Sequence, residues 1–150
     1  MKVASIAALA LVGLVGLPLA ANAESAQSEV TAAYQAWDAA LNSGNAKAVA
    51  ALYTEDAVFL PASHDVIKGP AGVEGFFAPL LAGGFTGHKL ELIEVEGDGD
   101  DDDELVVAAA KWSAQGKDAS GKPATFGGVA THVFEKQSDG SLKLKLHTFN

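Results

Sequence analysis

The chemistry open to this chain starts with its histidines, His64, His88, His132 and His147, because it contains no cysteine. An imidazole titrates near neutral pH and can take or deliver a proton without special tuning. His132 and His147 stand on two apolar segments separated by a Ser138-Asp139-Gly140 turn. A hairpin there would set both rings side by side, so they are the candidate proton-transfer pair. Lys145 would depress a neighbouring imidazole and could stabilise an anionic intermediate. The plainer reading makes His147 a solvated or hydrogen-bonded strand residue and His132 a satisfied, half-buried one.

The remaining constellations point to less. His64-Asp65 offers a carboxylate beside an imidazole, but adjacent loop residues seldom face each other, and a polar loop explains them. The four histidines have no ligand spacing such as H-x-x-x-H, so no metal is expected, and no cofactor. The acidic run Glu96 to Glu104 begins as a calcium loop does. It then places Asp103 where such a loop needs glycine and Ala109 where it needs a bidentate glutamate. A solvated hairpin turn is the expectation. Tyr53 has no identifiable polar partner, and Asp38, next to an inward Trp37, should face solvent.

Composition narrows the partners. The formal charge is −9 and all ten basic residues are lysine, so nucleic acid is excluded and bidentate phosphate or carboxylate recognition has no agent. The N-terminus reads as an export signal: Lys2, an apolar stretch from Ile6 to Leu19, then Ala21-Asn22-Ala23. Cleavage after Ala23 would leave residues 24–150 as one domain, periplasmic or secreted, with no membrane attachment, since the stretch is too short to span.

The elements that must position these groups follow from periodicity. Val30, Ala33, Tyr34, Trp37 and Leu41 give a helix from Glu29 that Gly44 closes. Asn45 caps a short helix, Ala46 to Tyr53, and Ala57 to Leu60 reads as a strand stopped by Pro61. Gly69-Pro70 opens a third helix carrying Val73, Phe76, Phe77 and Leu80. Four strands follow: Thr86–Val95 with a bulge at Leu92-Ile93, Leu105–Ser113, Thr125–Glu135 and Leu142–Phe149. With turns between them, the sheet should be antiparallel. The fold class is α+β, with three N-terminal helices packed on a strongly curved antiparallel sheet.

That order, with "W..AL.SGN..AVAALYTEDAVFLP", "KGPAGVEGFF" and "DGSLKLKLHTFN", resembles the nuclear-transport-factor-2-like superfamily and its SnoaL-like and ketosteroid-isomerase-like members. The resemblance spans nearly all of residues 24–150 and implies a cone with a cavity. It implies that Trp37, Tyr53, Phe76, Phe77, Val106, Ala108, Ala130, His132, Lys145, His147 and Phe149 line that cavity. It also removes one activity. The positions of the isomerase's base, tyrosine and protonated aspartate hold Pro61, Trp37 and Ala130, so isomerisation by that mechanism is unavailable.

Strand 142–149 carries a conflict. Amphipathicity puts Leu142, Leu144 and Leu146 inside, whereas the resemblance puts Lys143, Lys145 and His147 inside; without a bulge only one can hold. The family phase is taken here, which leaves a convex leucine row and so a homodimer. The function expected first is binding of a small apolar or amphipathic molecule. The second is a lyase, isomerase or cyclase using His132 and His147, and an assembly module working through the convex face is third.

Overall fold

Val30, Tyr34, Trp37 and Leu41 recur every three or four residues, and the first helix buries all four against the sheet. The computed structural model describes residues 19–97 and 105–150. Most of the expected export signal and of the acidic run lies outside the described residues. Helix α1 spans Leu19–Asn42, so the expected boundary at Ala23 falls within its first turns. Among the described residues no helix is long and apolar enough to cross a membrane.

After α1 come α2 (Ala46–Ala50), β1 (Tyr53–Leu60), β2 (Ile67–Lys68), α3 (Gly69–Ala82), β3 (Thr86–Glu96), β4 (Leu105–Lys117), β5 (Pro123–Lys136) and β6 (Leu142–Phe149). The Asn45 side chain accepts from the Ala48 N–H and caps α2. That helix stops at Ala50, so Tyr53 opens a strand rather than closing a helix. Gly69 starts α3 at φ +63°, where a Cβ would lie 2.9 Å from the Glu55 carbonyl oxygen.

The six strands form one sheet in the order β2-β1-β6-β5-β4-β3. It is mixed, not antiparallel, because β1 runs parallel to β6. Consecutive strands pair antiparallel, β1 with β2 and β3 through β6 in turn, whereas the chain between β1 and β6 is long enough for a crossover.

Two of the sheet's register irregularities bear on the positions singled out in the sequence. In β3, Leu92 pairs with Ala110 and Glu94 with Ala109, leaving Ile93 as the extra residue. In β6, Leu144 pairs with Phe134 and Leu146 with Val133, leaving Lys145 extra. The β6 bulge settles the conflict over its faces. Leu144 and His147 are both buried although three residues apart. The expected convex leucine row does not exist: Leu144 points inward, and only Leu146 pairs into the outer row with Val133 and Val107.

Candidate functional site

Trp37 is the hub of a cluster of rings. Phe77, His88 and His147 lie with ring centroids 5.6, 4.6 and 5.9 Å from it. Phe59 stacks on Phe77, His147 and Phe149. Between these rings and the third helix lies a cavity of about 400 Å³, within the range of small-molecule sites. It is walled by Phe76, Phe77, Phe85, Trp112, Phe126 and Phe149, with Pro61 and Ser63 at its rim loop and Ala130 leaving room on β5.

Of the residues singled out beforehand, Trp37, Phe76, Phe77, Ala130, His132, His147 and Phe149 line this cavity. Tyr53, Val106 and Ala108 are buried in the core beside it and do not. Lys145 is a correction. As the bulged residue it turns outward, and its ammonium bridges Asp56 at 2.9 Å and Glu135 at 2.9 Å. Those hydrogen bonds hold the lysine pKa up and both carboxyls down. Lys145 therefore neither tunes an imidazole nor meets an anion in the cavity.

His132 and His147 face each other across β5 and β6, with centroids 4.7 Å apart. Each is held from behind by a phenol. The Tyr34 hydroxyl lies 2.8 Å from Nδ1 of His132, and the Tyr53 hydroxyl 2.7 Å from Nδ1 of His147. Burial raises the pKa of both phenols above the ordinary tyrosine range. Burial also pulls His132 down to about 3 and His147 well below the usual imidazole value, with neighbouring imidazoles adding to both shifts. At neutral pH both rings are uncharged. Each phenol hydrogen has only that Nδ1 as acceptor among the described residues, so the phenol donates and the imidazole carries its own hydrogen on Nε2. The pair presents N–H donors, not bases.

The third imidazole, His88, which the sequence offers only as a metal ligand, also lines the cavity. Its Nδ1 sits 2.7 Å from Oδ1 of Asp38, whose Oδ2 accepts from the Leu90 N–H at 3.0 Å. Asp38 therefore faces β3, not solvent. One turn on, Asn42 donates to the His88 carbonyl and accepts from the His88 N–H. The i, i+4 pair Asp38 and Asn42 thus caps the outer edge of β3 and fixes the ring. Asn42→Ala is expected to cost about 1–3 kcal/mol of stability, measured by denaturant unfolding, because it strands two main-chain groups.

None of the three Nε2 atoms has a hydrogen-bond partner among the described residues, and none is sealed off. The sealed, unpartnered side-chain atom is the Trp37 indole nitrogen. It lies close enough to the Tyr53 hydroxyl to oppose its pKa shift but falls short of hydrogen-bond geometry. No group of His, Asp and Glu among the described residues is placed to hold a metal ion. His64 is exposed on the rim loop at φ +66°. Its neighbour Asp65 bonds to the Ser63 hydroxyl instead, so the two form no dyad.

The SnoaL-like domain model matches residues 34–143. The chain belongs to the SnoaL-like family. Its fold is shared by solved structures, two of which, from Novosphingobium aromaticivorans and Salmonella enterica, are described as nuclear-transport-factor-2-like. Among these structures is a Xanthomonas campestris protein provisionally described as a calcium/calmodulin dependent protein kinase II association domain. It is 30% identical over 81% of this chain and 84% of its own, with a TM-score of 0.68. Another is a ketosteroid isomerase-like protein from Erwinia carotovora atroseptica, 17% identical over 81% of this chain and 92% of its own, TM-score 0.69. A third is an NTF2-like protein with a cystatin-like fold from Novosphingobium aromaticivorans, 19% identical over 91% and 90%, TM-score 0.69. No curated protein matches the SnoaL-like chain.

Proposed function

We propose that this SnoaL-like protein is exported and binds a small, flat, apolar or amphipathic molecule, whose polar group meets the imidazole N–H donors of His132 and His147. The observation that carries this reading is the cavity itself: rings on its walls and unpartnered Nε2 atoms open to it. An apolar body would be held by the aromatic wall, and a carbonyl or phenolate oxygen would satisfy donors that otherwise have no partner. The export signal and cleavage after Ala23 remain part of the proposal, with the periplasm or exterior as its place of action. So does a homodimer through the convex face, now supported by exposed Leu105, Val107 and Val129 instead of a leucine row.

An enzymatic reading with His132 and His147 as the proton-transfer pair is favoured by their 4.7 Å separation. Their neutrality and their phenol partners suit them to donating hydrogen bonds, which is the binding role.

Both tryptophans of the chain line the cavity, so intrinsic fluorescence reports its occupancy. N-phenyl-1-naphthylamine, a neutral fluorescent probe, is expected to bind and to quench both indoles. Ala130→Trp, which fills the space above His132, is expected to weaken that binding at least about tenfold, as a blocked pocket should. Equal affinity of the two proteins would remove the cavity as the binding site.

A further inference from the structure

Two glycines, Gly127 and Gly128, stand side by side inside β5, where a strand is weakened by them unless another group approaches closely. Neither lies in the left-handed region, so what they supply is room. A Cβ on Gly127 would lie 2.8 Å from the Trp112 carbonyl oxygen. A Cβ on Gly128 would lie 1.8 Å from the main-chain oxygen of Asn150 and 3.0 Å from the Trp112 indole nitrogen. That room holds a latch between β4 and the residue after β6. Asn150 extends the β5–β6 ladder by donating its N–H to the Val129 carbonyl, but it accepts from the Val129 N–H through its side-chain Oδ1. The side chain thus takes the place of the main-chain carbonyl. That carbonyl turns over Gly128 and accepts from the Trp112 indole N–H at 3.1 Å. The indole is held further by His88, parallel to it at 6.1 Å, and by Phe149, edge-on at 5.4 Å.

We propose that Asn150, in the space left by Gly127 and Gly128, is a positioning residue that sets specificity. It fixes the Trp112 indole as a flat wall, so the cavity takes planar aromatic molecules and rejects compact cages of the same atom count. Trp112 lines the cavity from β4. An indole free to turn about its side-chain torsions would retreat before a thick ligand, and the wall would adapt. Latched, it offers one fixed aromatic surface, against which a flat ring packs better than a saturated cage does. The latch also occupies the indole N–H, while the Trp37 N–H is sealed from the cavity. Neither tryptophan therefore donates a hydrogen bond to a ligand, and polar selection falls to the imidazoles. Asn150 is exposed and adds one rung to a ladder that already runs from Lys136–Leu142 to Ala130–Phe149, so the fold stands without its side chain. Such selection matters only if the cavity takes a small apolar molecule, so it rests on that reading of the site.

The experiment sets 1-naphthol against 1-adamantanol as competitors of N-phenyl-1-naphthylamine. The two have the same numbers of carbon and oxygen atoms, but the first is planar and the second a cage. The wild-type protein is expected to prefer the naphthol at least about tenfold. Asn150→Ala removes Oδ1 and lets the main-chain carbonyl fall back to the Val129 N–H. It is expected to cut the preference below about threefold, while the probe still binds, and to speed exchange of the Trp112 indole hydrogen about tenfold. Gly128→Ala, whose methyl would take the place of the Asn150 oxygen, is expected to cut the preference likewise. Asn150→Asp keeps a side-chain oxygen for the Val129 N–H and is expected to retain the wild-type preference, which a merely structural role for the chain end does not predict. A preference retained in Asn150→Ala or Gly128→Ala, lost in Asn150→Asp, or absent from a wild type that binds the probe overturns the latch and leaves the binding site standing. A wild type that binds neither the probe nor the two competitors overturns both.

Discussion

Phe59→Ala is expected to lower stability by about 3–5 kcal/mol, more than any other single truncation in this protein. Phe59 is fully buried and stacks within 6 Å of Phe77, His147 and Phe149, with Phe76 edge-on at 5.0 Å. It is the one ring that joins β1, β6 and α3. Removing it loses the transfer energy of the ring and leaves a void that these neighbours, fixed to two separate elements, cannot close. At the heat of unfolding of a domain this size, that corresponds to a melting point lower by roughly 10–20 °C. Calorimetry would decide it. A loss under about 1.5 kcal/mol would mean that α3 collapses onto the sheet, and the cavity between them would then be easily deformed.

How far this arrangement could be read from the residues depended on the range of the interaction. The inner stripe of α1, the cap at Asn45, the opening of α3 at Gly69-Pro70 and the bulge at Leu92-Ile93 are local matters of periodicity and turn chemistry. All stand where the pattern puts them. The parallel pairing of β1 with β6 was hidden, because nothing in "AVFL" distinguishes a parallel neighbour from an antiparallel one. The faces of β6 were hidden for a related reason. A bulge at Lys145 is a property of two strands in register, and in one strand it looks like a contradiction between leucines and histidine.

The candidate site divides the same way. His132 and His147 were paired correctly because a turn joins their strands, and register puts them opposite each other. Their partners Tyr34 and Tyr53 lie 98 and 94 residues away, and no spacing rule reaches that far. Asp38 departs from the expectation that its neighbour sets. Trp37 does face inward, but a position 100° further round an α-helix is its flank, and here that flank meets the edge of β3. His88 stood in a strand whose outer edge the sequence left blank. The signal that could have found the pair was the i, i+4 spacing of Asp38 and Asn42, two side chains apt to satisfy the free N–H and C=O groups of an edge strand.

Acid is expected to undo this fold earlier than its carboxylates alone would allow. His132 and His147 are neutral when folded, His132 down to about 3, whereas in the unfolded chain each takes a proton near the usual imidazole value of 6.5. Between those values the unfolded chain binds more protons than the folded one. Stability therefore rises with pH in this window and is lost as pH falls from 6.5 towards 3. His132 is expected to contribute a loss of about 2 kcal/mol by pH 5 relative to pH 8, and His147, also held below the usual imidazole value, a further loss of the same sign. The carboxyls of Asp56, Asp118, Glu135 and Asp139 are also held below their usual values, chiefly by hydrogen bonds from Lys145, Ser120, Lys145 and Ser141. Their support is present above the unfolded carboxylate range, 3.8 to 4.5, and disappears only below it. Denaturant unfolding between pH 6.5 and 5 thus isolates the imidazoles. The double variant His132→Gln, His147→Gln should flatten the slope there while leaving the fall below pH 4 in place. A double variant as acid-sensitive as the wild type across pH 6.5 to 5 would mean that the rings take up protons in the folded state, and two charged imidazoles 4.7 Å apart would need a counter-ion in the cavity.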